Sequence, residues 1–170
     1  MANKTRVLLV DDHAVVRDGY RRLLESLPDL IIVGEAAAAR EALDQVRLLK
    51  PDVLVLDLGL PDMGGVELIR RLVQRDTDLR ILVFTMHREP IFATQALRAG
   101  ALGYVTKSSP PEVMIDAVYQ VAAGHQTISP DIAPELALAL LRQPVDPLAQ
   151  LSPREFEILR LLLDGCSVED

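Results

Sequence analysis

The sequence predicts an α/β fold, an open parallel sheet of five strands with helices on both faces. Three observations carry this. Short apolar runs alternate five times with stretches of helical periodicity. Three of the runs, at 7–10, 53–56 and 81–84, are unbroken in Val, Leu, Ile and Phe, as parallel strands covered on both faces require. Turn-forming Pro and Gly residues fall between the segments.

The elements follow in order. Run 7–10 leads into Asp11 and Asp12, and a helix then puts Val16, Leu23, Leu24 and Leu27 on one face before Pro28. A second strand at 30–33 precedes a helix with the stripe Ala42, Val46 and Leu49, closed by Pro51. The third strand, 53–56, ends at Asp57; Gly64 and Gly65 then introduce the stripe Val66, Ile69 and Val73. The fourth, 81–84, ends at Thr85 and is followed by Ile91, Phe92, Ala96 and Leu97, with Gly100 as the stop. The fifth, 102–105, runs into Lys107, and Pro110 and Pro111 precede the stripe Val113, Ala117 and Val121. Right-handed crossovers and five strands favour the order 2-1-3-4-5, the flavodoxin-like arrangement, whose switch point lies between strands 1 and 3.

Composition narrows the function. Of 170 residues, 49% are hydrophobic and none is Trp, so the core is aliphatic. The polar N-terminus leads into only four apolar residues, too short for a signal-peptide core or a membrane span, and a cytoplasmic protein is expected. The single cysteine, Cys166, cannot pair within the chain. Net charge is −7: residues 1–125 hold 15 Lys/Arg against 17 Asp/Glu, and residues 126–170 hold 3 against 8. Neither part supplies the clustered positive charge that a phosphate backbone needs.

After Gly124 the pattern changes. The expected organisation is a domain over 1–125, a helical linker over 126–150 and the start of another domain over 151–170. The linker carries the stripe Ile132, Leu136 and Leu140, ending near Arg142, then Pro144 and Pro147. Ser152, Pro153 and Glu155 form a helix start with a capping box, and Phe156, Leu159, Leu162 and Leu163 are its apolar side. Ser167 to Asp170 repeats a start signal with no helix body after it, so the sequence is expected to stop inside that domain.

The chemistry lies at the strand ends. Asp11, Asp12 and Asp57 end neighbouring strands at the switch point, where open α/β sheets bind ligands, and Thr85 and Lys107 come to the same edge. Two carboxylates about 4 Å apart repel by roughly 4 kcal/mol at an effective dielectric near 20. One lysine leaves the trio with excess negative charge, so a hard divalent cation, Mg²⁺ or Mn²⁺, is expected. No Cys–His set suits zinc. A carboxylate nucleophile forms an acyl phosphate, which suggests phosphoryl transfer to Asp57. Singly, each residue has an ordinary reading: Asp11 and Asp12 as a helix cap, Asp57 as a loop cap, Thr85 and Lys107 as surface residues.

The stretches Val-Leu-Leu-Val-Asp-Asp-His, Val-Leu-Val-Leu-Asp-Leu-Gly-Leu-Pro-Asp-Met-Gly-Gly, Ile-Leu-Val-Phe-Thr-Met, Ala-Gly-Ala-Leu-Gly-Tyr-Val-Thr-Lys and Leu-Ser-Pro-Arg-Glu-Phe-Glu-Ile-Leu are similar to those of bacterial two-component response regulators. The resemblance is to the NarL/FixJ subfamily, a CheY-like receiver followed by a LuxR-type helix-turn-helix domain. It implies that Asp57 is the phosphoacceptor, that Asp11 and Asp12 bind the metal with the Gly59 backbone carbonyl, and that Lys107 pairs with phosphate. It further implies that Thr85 and Tyr104 are a coupled switch pair, Tyr104 turning inward on phosphorylation.

The implied partners are a sensor histidine kinase, a second copy on phosphorylation, and DNA through residues C-terminal to those present. The dimer surface would be helix 4, strand 5 and helix 5, or helices 1 and 5. Many receivers have a cis proline after the lysine; here Ser108 follows. His87 lies where the family tunes phosphoaspartate lifetime or is a solvated loop histidine, and His13 opens the first helix. Two rivals are a stand-alone receiver and a phosphohydrolase with an aspartyl nucleophile, whose second aspartate is replaced here by Gly59.

Overall fold

Each apolar run becomes a strand and each amphipathic stretch the crossover that returns the chain to the same edge of the sheet. The computed structural model describes residues 4–76 and 78–142. In chain order these are β1 (Thr5–Val10), α1 (Ala14–Glu25), β2 (Leu30–Ala36), α2 (Ala39–Leu49), β3 (Val53–Leu56), α3 (Gly65–Arg75), β4 (Arg80–Thr85), α4 (Pro90–Ala99), β5 (Gly103–Thr106), α5 (Pro111–Ala122), β6 (Thr127–Ile128) and α6 (Ala133–Leu141). All strand pairs are parallel, in the order β2-β1-β3-β4-β5-β6.

The order 2-1-3-4-5 holds, with one addition. Thr127 and Ile128 pair with Gly103 and Tyr104 as a sixth strand. Two residues are too short to show a period, so the sheet runs past the boundary expected at residue 125. The second strand also continues to Ala36, past the expected 33, and the fifth is displaced by one residue to Gly103–Thr106.

Two aliphatic layers hold the sheet. On one face α2, α3, α4 and α6 bury Val46, Ile69, Leu72, Phe92 and Leu136 against Leu8, Leu54, Ile81 and Val83. On the other, α1 and α5 bury Leu24, Met114, Val118 and Val121 against Val7, Val53, Val55 and Leu82. Each fully buried aliphatic side chain contributes about 1.5–3 kcal/mol. No helix among the described residues is long and apolar enough to cross a membrane.

Beyond α5 the linker is tied to the sheet. Ile132 and Leu136 are buried as the stripe predicts, but Leu140 is half-exposed, because the apolar face has rotated past the contact by the second turn. The Asp131 carboxylate accepts the Thr106 hydroxyl at 2.6 Å and the Ser109 hydroxyl at 3.3 Å. The Ser129 hydroxyl accepts the Thr106 amide at 3.3 Å. Burial raises the Asp131 pKa, but hydroxyl donors including Ser129 and Thr106 more than offset this, leaving it below the ordinary carboxylate range. The features expected at Pro144, Pro147, the Ser152 helix start and Cys166 lie outside the described residues, as does the 151–170 domain.

The loop after β3 is held by a close backbone approach. A Cβ on Gly65, the first residue of α3, would lie 2.6 Å from the Leu58 Cα and 3.2 Å from the Asp57 carbonyl oxygen. Next to it, Gly64 has open space and φ −62°. Gly65→Ala should therefore destabilise the protein by about 1–3 kcal/mol, as overpacking does. Gly64→Ala should change stability by about 0.5 kcal/mol or less, as surface substitutions do. Urea denaturation of the two variants measures the difference.

Candidate functional site

The ladder itself delivers the acids. Val10 is paired with Leu56. One residue further, the Asp57 amide donates to the Val10 carbonyl at 2.8 Å and the Asp11 amide to the Ala36 carbonyl at 3.0 Å. The same holds across the sheet, where Thr85 pairs with Thr106 and the Lys107 amide donates to the Thr85 carbonyl at 2.7 Å. The five expected side chains thus reach one edge.

Strand parity divides them between the two faces. Asp11, Asp57 and Lys107 follow Leu9, Val55 and Val105, whose side chains belong to the α1/α5 layer. Thr85 follows Val83 on the α4 side, where Tyr104 also packs. The structure shows the consequence. Lys107 Nζ donates to Asp11 Oδ2 at 2.5 Å and to Asp57 Oδ2 at 2.8 Å, with all three side chains no more than 8% exposed. Burial alone would lower the Lys107 pKa; its hydrogen bonds to Asp11 and Asp57 outweigh that and raise it above 10.5. A pocket on this face reaches Asp11 and Asp57 and is lined by Val16, Tyr20, Phe84 and Met114.

Asp12 and His13 complete the acidic side. Ligand atoms of Asp11, Asp12, His13 and Asp57 all lie within 4.8 Å of one another. His13 does open α1, and its amide donates to Asp11 Oδ1 at 2.8 Å. Its ring Nδ1 also lies 2.8 Å from Asp12 Oδ1 and 3.2 Å from Asp11 Oδ1, so the imidazole joins the cluster at its exposed rim. Position at a helix start gives no sign of that second role. Arg17 Nη1 donates to the Asp11 carbonyl at 2.5 Å and Arg17 Nε to Glu35 at 3.2 Å, fixing the β1–α1 turn from outside.

On the other face Thr85 and Tyr104 are joined through the backbone of His87. The His87 amide donates to Thr85 Oγ1 at a long 3.4 Å, and the Tyr104 hydroxyl donates to the His87 carbonyl at 2.9 Å. Tyr104 is fully buried, so the inward position exists in this structure. Burial, with the Glu89 charge second, pushes its phenol far up. His87 is partly buried rather than solvated, with its ring 4.2 Å from that of Phe92. Gly59 is exposed, its amide 3.4 Å from Asp57 Oδ1. Among the described residues no peptide bond is cis, Lys107–Ser108 included.

Comparisons with known proteins agree with this fold. Residues 7–119 match the model of the "Response regulator receiver domain". The chain is 41% identical over 163 residues to the response regulator GacA of Pseudomonas viridiflava, covering 95% of this chain and 76% of that protein. Among solved structures, a LuxR-family two-component response regulator from Aurantimonas sp. superposes with TM-score 0.79 at 48% identity, covering 82% of this chain and all of the other. RcsB from Salmonella enterica serovar Typhimurium, solved bound to the promoter rprA with a phosphomimetic, superposes with TM-score 0.73 at 26% identity over 96% of this chain and 79% of its own. A parallel sheet of this order, acids at its switch point and a lysine between them, together with this family match, make the chain a member of the response regulator receiver family, of the LuxR-type NarL/FixJ branch.

Proposed function

We infer that the protein is a phosphorylation switch with Asp57 as its phosphoacceptor. The observation that carries this is the Lys107 ammonium bridging the Asp11 and Asp57 carboxylates at the open edge of the sheet. The donor set fits a hard divalent cation, Mg²⁺ or Mn²⁺: three carboxylates converge, none of the group is Cys, and the one imidazole lies at the solvent side. Asp11, Asp12, Asp57 and the Gly59 carbonyl would hold the ion, which would supply positive charge against the phosphoryl oxygens.

The chain's own residues account for the rest. A carboxylate oxygen of Asp57 attacks the phosphorus of a phosphohistidine on a sensor histidine kinase, or of a small acyl phosphate, and the donor leaves. Lys107 then exchanges a carboxylate partner for a phosphoryl oxygen. Thr85 holds only a weak bond from the His87 amide, so its hydroxyl is available to donate to the phosphoryl group. Because His87 also receives the Tyr104 hydroxyl, a shift of Thr85 reaches the α4–β5 face through one residue. Tyr104 is inward here, its hydroxyl held on the His87 carbonyl at 2.9 Å, which is the position expected of the switched state.

Output is transcriptional: a homodimer engages DNA through a helix-turn-helix domain that begins near residue 151, in keeping with the RcsB–promoter complex. The protein is a regulator rather than an enzyme. A phosphohydrolase of the aspartyl type needs a second acid where Gly59 stands.

Incubation with acetyl phosphate and Mg²⁺ should add one phosphoryl group by intact-mass measurement, and Asp57→Asn or added EDTA should abolish the gain. Uptake that survives in Asp57→Asn overturns the assignment.

Lys107→Met leaves two carboxylates facing each other and should lower stability at neutral pH by about 2–3 kcal/mol. This is below the roughly 3–5 kcal/mol of a broken buried pair, because the pocket that reaches Asp11 and Asp57 admits water to the carboxylates once the ammonium is gone. A raised lysine pKa adds stability that is complete below 10.5 and lost as pH rises through the higher folded value. Alkaline thermal melts should show that loss in the wild type and not in Lys107→Met.

A further inference from the structure

We propose that Asp62 is a positioning residue for the phosphoacceptor loop, which it holds in place by anchoring to the N-terminus of α2. The inference rests on the reading of Asp57 as phosphoacceptor and of the Gly59 carbonyl as a metal ligand.

Helix α2 has no cap of its own. Its N-cap residue is Ala38, extended at φ −146° and ψ 155°, with no side chain able to receive an amide. The orphan donors are met from another element. Asp62, on the loop between β3 and α3, accepts the Ala39 amide at 2.8 Å on one oxygen and the Arg40 amide at 2.9 Å on the other. Glu41 accepts the Ala37 amide at 2.8 Å, so the turn before α2 is itself braced. Burial raises the Asp62 pKa, but the Arg40 and Ala39 amides outweigh it, so the carboxylate stays ionised across the neutral range.

The geometry makes this more than a cap. The loop from Leu58 to Gly64 is short, and each end is fixed, Asp57 by the ladder and Gly65 by its contact with Leu58. Leu58 and Leu60 are buried, while Gly59 and Asp62 face solvent. Apolar burial sets the depth of the loop, but it does not fix rotation about the buried leucines. The two bonds from Asp62 restrain that rotation from the α2 side, beside the Gly65 amide on the Leu58 carbonyl at 3.2 Å and the Gly59 amide 3.4 Å from Asp57 Oδ1. A rotation of the loop would turn the Gly59 carbonyl.

A capping role and a positioning role separate when the carboxylate is moved. Ala38→Asp places it at the local cap position, whose extended backbone suits an aspartate cap. Three full-length variants, Asp62→Ala, Ala38→Asp/Asp62→Ala and Asp62→Asn, are compared at room temperature, where each remains folded. The readouts are Tm, Mg²⁺ affinity by calorimetry, and the Gly59 amide resonance.

Asp62→Ala should lower Tm by about 2–4 °C and weaken Mg²⁺ about tenfold, the low end for residues that orient metal ligands. The double variant should recover Tm while Mg²⁺ affinity stays low and the Gly59 resonance stays displaced. Asp62→Asn, which keeps one acceptor oxygen, should fall between. Recovery of Mg²⁺ affinity together with Tm, or wild-type affinity in Asp62→Ala, overturns the inference. Wild-type protein that neither binds Mg²⁺ nor takes up a phosphoryl group instead overturns the function on which it rests.

Discussion

Three buried charged groups meet where three strands end, and the rest of the site is arranged around their balance. The Asp11 and Asp57 carboxylates repel at close range, and the Lys107 ammonium sits between them at hydrogen-bond distance from both. The arrangement has one positive charge for two negative ones, so it is self-limiting: stable enough to fold around, yet still electron-rich toward a cation or a phosphoryl group. Backbone pairing, not side-chain packing, sets this geometry, since Asp11, Asp57 and Lys107 each occupy the next ladder position after a paired residue.

Much of this was legible from residue order. Aliphatic runs marked the five main strands, and acids following two of them at the switch point marked the site. The division of labour between faces was legible too, in principle, because parity follows from counting along each strand. It places Lys107 with the acids and Thr85 with Tyr104.

Other features leave no local trace. β6 has only two residues. The α2 cap comes from Asp62, more than twenty positions away, and Ala38 in the N-cap place gives no hint of it. His13 reads as a helix opener, and only the fold shows its ring against Asp12. Leu140 matched the helical stripe yet lies half in water, because a period of four drifts off the buried face within two turns.

The linker's attachment has a mechanical result. Thr106 and Lys107 are consecutive, so their side chains leave the strand end in opposite directions, one toward Asp131 and the other toward Asp57. They share a peptide plane, and that plane is rigid. One strand end thus carries both attachments, the anchorage of α6 on one surface of the sheet and the charge balance on the other.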